Sequence, residues 1–144
     1  MVSKLAIGLL AVQVLLGGYL FSYLLSAGQP RATARATRIS DPVSALHLLA
    51  ALAALALWMI YQAGHDIAFA WATLGVLALT AAGGMTMAVK TLAEPPILEG
   101  VVSEDPADAR VAESQIPRPA IYLHGVIFLM AGACVLLVSL GLAD

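Results

Sequence analysis

Apolar residues fall into four blocks along this chain, at about residues 5–26, 43–63, 67–89 and 120–142, and polar residues collect between them. No Asp, Glu, Lys or Arg interrupts any block. Each is close to the roughly 20 residues that a helix needs to cross a hydrocarbon core. Four spans are too few for a closed barrel, so helix is the state that satisfies the backbone in lipid. The pattern predicts an all-α fold: an integral membrane four-helix bundle, one domain over 1–144, with polar loops at 27–42 and 90–119. The first block exceeds a signal-peptide core, and Gln29-Pro30-Arg31 is a poor cleavage context, so it reads as a true span.

Composition agrees. Of 144 residues, 61% are hydrophobic and 11% charged, and the mean hydropathy is +0.92. A soluble domain of this size needs more polar surface. The net charge of −2 lacks the basic face that a nucleic-acid partner requires. The single cysteine, Cys134, excludes an internal disulfide framework and a Cys-rich metal site. No phosphate-binding loop, nucleophile elbow or H-E-x-x-H helix is present.

The loops differ in character. Loop 1 (27–42) carries Arg31, Arg35 and Arg38; Gly64-His65-Asp66 forms a tight turn; loop 3 (90–119) is long and acidic, with Glu94, Glu99, Glu104, Asp105, Asp108 and Glu113. That acidic run reads as solvated, with partner docking its one further role. Loops 1 and 3 share a face that carries every basic residue except Lys4, and the positive-inside rule puts that face in the cytoplasm. Tyr19, Phe21, Tyr23 and Tyr122 lie toward it, and Trp58, Tyr61 and Trp71 toward the other, as interfacial anchors.

The two halves echo each other. Blocks 1 and 3 carry Gly17-Gly18 and Gly83-Gly84, each followed by a polar loop; blocks 2 and 4 then open with Pro42 and Pro119, each five residues before a histidine. The shared order predicts two tandem helical-hairpin repeats in parallel orientation. Proline often starts helices, which is the chance explanation.

His47 and His124 carry the candidate chemistry. Five residues of helix is roughly 7–8 Å, so the two rings lie at matched depth on helices running the same way. A heme requires that arrangement: two imidazoles at one level, one on each side of the iron. Ala50, Ala51 and Ala54 share the face of His47, while Gly125, Phe128 and Ala131 accompany His124. Small residues there leave room for a macrocycle, although in membrane helices they more often serve close packing. A histidine within a span also serves hydrogen bonding or a proton path, and two histidines alone are a thin ligand set for a bare transition metal. Gln13 is either an interhelical hydrogen bonder or a porphyrin contact. His65, beside Asp66, is an interfacial polar residue. Arg31, Arg35, Arg38, Lys90 and Arg118 are candidate partners for heme propionates, or for anionic headgroups.

Gln13-Val14-Leu15-Leu16-Gly17-Gly18, followed by a polar loop and by residues 43–50 around His47, resembles the helix pairs of heme A synthases. Gly83-Gly84 through Leu123-His124-Gly125 resembles the same unit more weakly. The whole chain is similar to one four-helix half of the usual eight-helix enzyme, in the compact form found in archaea. The resemblance implies oxidation of the C8 methyl of heme O to the formyl of heme A. It implies a heme b cofactor with His47 and His124 as axial iron ligands, heme O as the porphyrin substrate, and a homodimer that rebuilds the eight-helix arrangement. Heme O synthase and a terminal oxidase are the implied partners. It also places loops 1 and 3 outside the cell membrane, against the basic-residue count.

Two departures bear on catalysis. Where the family has a glutamate three residues before a ligand histidine, this chain has Ser44 and Ile121, and Asp41 is the nearest acid to His47. The cysteine pair of many bacterial members is also missing. Three readings therefore stand: a compact heme A synthase, a bis-histidine membrane cytochrome b that carries electrons, and a heme-free accessory or assembly subunit.

Overall fold

A computed structural model describes residues 1–26, 37–94 and 111–144. It contains four long helices, α1 (Val2–Ser26), α2 (Asp41–Gly64), α3 (Ile67–Ala93) and α4 (Arg118–Ser139), with a short 3-10 turn at Ala112–Gln115. Each long helix is long and apolar enough to cross a membrane, so the architecture is that of a multi-pass membrane protein.

Local chemistry sets the helix ends. Asp41 and Pro42 open α2, where the missing proline N–H costs nothing. His65 takes a left-handed conformation (φ 55°) and its N–H reaches the Tyr61 carbonyl, closing α2. Asp66 then caps α3 by accepting from the Ala68 N–H at 2.9 Å. The predicted tight turn between helices 2 and 3 is thus built by those residues. α3 runs four residues beyond its predicted end at 89, to Ala93, because Lys90 leaves the apolar face and donates to the Arg38 carbonyl at 3.0 Å. α4 stops short of 142 because Gly141 turns left-handed (φ 68°), and the Leu142 N–H returns to the Leu137 carbonyl.

The helices form a ring in chain order. α2 packs most closely on α3, and α1 on α4; α1–α2 and α3–α4 also touch, which leaves α1/α3 and α2/α4 as the diagonals. Each helix turns one stripe inward, for example Ala6, Leu10 and Gln13 on α1 and Ala70, Thr73, Leu77 and Thr80 on α3. Alanine at Ala6, Ala54, Ala70 and Ala131, all fully buried, lets the backbones approach closely. The buried hydroxyls of Thr73, Thr80 and Ser139 donate to carbonyls one turn back on their own helices.

The two ends of the bundle differ. The end that holds the termini is packed around the fully buried Trp58, whose indole N–H donates to the Ser3 carbonyl at 3.1 Å. The opposite end is a cavity capped by loop residues, and Glu113 builds that cap. One carboxyl oxygen accepts from the Thr37 hydroxyl (2.6 Å), the Arg38 N–H (2.7 Å) and the Ile39 N–H (3.0 Å). The acidic loop is therefore not uniformly solvated: Glu113 is 2% exposed, because it supplies the acceptor that the turn before α2 lacks. Glu94 likewise pairs with Arg38 at 2.7 Å. Glu99, Glu104, Asp105 and Asp108 lie outside the described residues.

Candidate functional site

Beneath the cap lies a cavity of about 360 Å³, lined from all four helices and almost wholly apolar. Leu10 and Leu77 form its floor, and Ile39 and Ile116 its roof. Its polar walls are His47, His124, Gln13, Ser44, Thr80 and Thr91. The lining residues that are also exposed on the outer surface, Met85, Gly125 and Leu129, all belong to α3 and α4.

The matched depth predicted for the two histidines is realised. Their helices are diagonal, and the rings face each other across the bundle axis with centroids 6.4 Å apart and planes at 61°. Each ring rests on a glycine of a neighbouring helix. A methyl added at Gly84 would meet His47 Cε1 at 3.0 Å, and one at Gly17 would meet His124 Cε1 at 3.2 Å. So the histidine of each half packs on the glycine of the other half. The first glycine of one pair and the second of the other make the closest approach, while Gly18 faces open space.

The rings are held through different atoms. His47 Nδ1 lies 3.0 Å from the Thr80 carbonyl oxygen, one turn before Gly84. That carbonyl has a second lone pair beyond its helical bond. With Nδ1 donating, Nε2 of His47 is the nitrogen available to a ligand. His124 is engaged at Nε2, 3.0 Å from the Gln13 side-chain amide, one turn before Gly17. Its Nδ1 and the Gln13 Oε1 are buried with no hydrogen-bond partner. Of the two readings of Gln13, the interhelical hydrogen bond is present, and it falls on a candidate ligand. Thr80 was not singled out from sequence; its place four residues before Gly84, matching Gln13 before Gly17, is the signal that marks it.

The remaining candidates lie apart from the cavity. Asp41 is exposed at the start of α2 and lines no part of it. Arg38 and Arg118 meet over the cap, both on Glu94: Arg38 on its carboxyl group, and Arg118 on its carbonyl at 3.1 Å. The Arg38 side chain is 65% exposed, and a pair so exposed contributes at most about 1 kcal/mol. Arg31 and Arg35 lie outside the described residues. His65 is exposed at the far end.

The glycine contacts make a prediction. At Gly84, valine forces the His47 ring off its Thr80 hydrogen bond, at a cost of about 1–3 kcal/mol for overpacking. Gly18→Ala meets nothing and gains up to about 1 kcal/mol of helix propensity. Unfolding in detergent should therefore move in opposite directions for the two variants.

The pair of imidazoles suits an iron porphyrin in its donor set. Metal-bound imidazole nitrogens stand about 2 Å from the metal, so two rings sharing one must be separated rather than stacked, as they are here. The cavity falls within the roughly 300–1,000 Å³ of small-molecule sites. One unpartnered buried ring nitrogen on His124 is the kind of atom that a metal satisfies. No protein-family model, curated protein or solved structure matches this chain.

Proposed function

We propose that this chain is a membrane heme protein that binds heme b between His47 and His124. The observation that carries the reading is the facing pair of rings, 6.4 Å apart inside an apolar cavity. His47 would ligate through Nε2, and His124 through Nδ1 as it stands, or through Nε2 once Gln13 releases it. Heme iron in such a site supplies one-electron redox chemistry. The protein's part is to exclude water with Leu10, Leu77, Ile39 and Ile116, and to fix the rings with Thr80 and Gln13. The glycines of α1 and α3 accommodate the rings, in keeping with an origin from two tandem hairpins.

Of the activities open to such a site, the geometry best supports electron transfer, as in a bis-histidine membrane cytochrome b. The polar groups on the cavity wall among the described residues are imidazoles, an amide and hydroxyls, which supports axial ligation more directly than acid–base chemistry. The sequence resemblance supports the second reading, a heme A synthase acting on heme O. That activity needs a further porphyrin site, which a homodimer would supply.

The test is an absorbance spectrum and an extracted-heme chromatogram of the detergent-purified protein, co-expressed with a heme O synthase. Heme b alone, with heme O present in the cells, is the expected result and supports the electron carrier. Heme A, or its hydroxylated intermediate, in the extract establishes the synthase instead. A protein without a Soret band overturns both readings and leaves an accessory subunit.

A further inference from the structure

Gln13 lies buried in the middle of an apolar helix, with its side-chain amide 3.0 Å from His124 Nε2. With the amide nitrogen toward the ring, Gln13 Oε1 and His124 Nδ1 are both buried without a hydrogen-bond partner. A bond between α1 and α4 that orphans two buried polar atoms is a poor structural bond. A half-turn of the amide presents its oxygen to the ring instead, where Oε1 accepts from a proton on Nε2. Neutral imidazole carries one ring proton, so Nδ1 is then bare and its lone pair is free for a metal. In that state Oε1 and both ring nitrogens are satisfied, and the amide nitrogen alone is left over.

His47 follows the same logic with its nitrogens exchanged. Its Nδ1 is 3.0 Å from the Thr80 carbonyl oxygen, which can only accept, so the proton sits on Nδ1 and Nε2 is bare. Resting on the heme reading above, we propose that Gln13 stays on His124 when heme is bound, accepts from Nε2–H, and so makes Nδ1 of His124 the nitrogen that shares the iron with Nε2 of His47. Gln13 is a positioning residue: it acts through His124. An acceptor on the far N–H of a ligating imidazole makes that ring a stronger electron donor. Gln13 thereby favours ferric over ferrous iron and lowers the reduction potential. Thr80 exerts the same pull on His47 from the backbone, where no side-chain substitution removes it. Gln13 is the side chain through which the pull on His124 is set.

The experiment uses the full-length protein with its heme, made with histidine carrying nitrogen-15 at Nδ1 alone. Pulsed electron paramagnetic resonance of the ferric protein then counts the labelled nitrogens bound to iron. One labelled and one unlabelled axial nitrogen is the expected result. Two unlabelled axial nitrogens, two labelled ones, or a single axial histidine overturn the assignment while leaving the heme site intact. The reduction potential, followed by absorbance, tests the role of Gln13 itself. Gln13→Leu should raise the midpoint by about 59 mV or more, a tenfold change in the ferric-to-ferrous ratio. Gln13→Glu, with a stronger acceptor on the ring, should lower it. If Gln13→Leu does not fold, Gln13→Met carries the same comparison. A potential that the loss of the amide leaves unchanged or lowers overturns the tuning role. A wild type without heme overturns the heme reading, and this inference with it.

Discussion

With heme bound as proposed, His47→Ala is expected to purify as a folded four-helix protein that has lost at least about nine-tenths of that heme, a tenfold or greater loss equivalent to 1.4 kcal/mol or more of binding free energy. The fold should survive because the ring is only partly buried and sits against a glycine, so its removal opens space already continuous with the cavity. The Thr80 carbonyl keeps its helical bond, so no buried backbone group is orphaned. His124→Ala should retain a larger share of heme, because its ring lacks the backbone anchor that fixes His47. The heme-to-protein ratio, beside a circular dichroism spectrum to check the helices, measures this. Wild-type heme content in both variants would mean that any bound iron is held elsewhere.

The largest effect on stability is expected at Glu113, in the cap rather than at either histidine. Its carboxyl oxygen takes three hydrogen bonds from Thr37, Arg38 and Ile39. Glu113→Ala removes that acceptor, and a buried group without its partner costs about 1–3 kcal/mol. The Ile39 N–H keeps the Thr37 hydroxyl oxygen at 3.1 Å and the Arg38 donor lies on an exposed residue that water can reach, so the total should be about 2 kcal/mol rather than the full sum. Glu113→Gln keeps an acceptor oxygen and should cost less than half as much. Unfolding in detergent gives the stability. Faster proteolysis between α1 and α2 in the alanine variant would show that the loss begins in the cap. If alanine and glutamine variants were equally stable, the three hydrogen bonds would not be what holds the cap.

The ion pair between Arg38 and Glu94 is a minor contributor by comparison, since its guanidinium is largely in water. The apolar roof that Glu113 secures, formed by Ile39 and Ile116, matters more to the site. Both residues line the cavity on the side of the described loop segments.

The four helices, their approximate ends, the turn at His65-Asp66 and the equal depth of His47 and His124 are all legible in the sequence by itself. Each depends on interactions within a few residues: the length of an apolar run, the capping habit of Asp66, and a fixed rise per residue after Pro42 and Pro119. Loop charge misleads for the complementary reason. Glu113 reads as one more solvated acid, yet its surroundings are set by residues that lie more than seventy positions away. Only the tertiary structure decided that His47 packs on Gly84 and His124 on Gly17, that Gln13 and Thr80 hold the rings by different nitrogens, and that Arg38 and Arg118 meet over Glu94. Which helix neighbours which, and how far each is rotated about its axis, depends on how four apolar surfaces pack together. A periodicity of 3.6 residues gives each helix an inward face without saying which partner that face will meet.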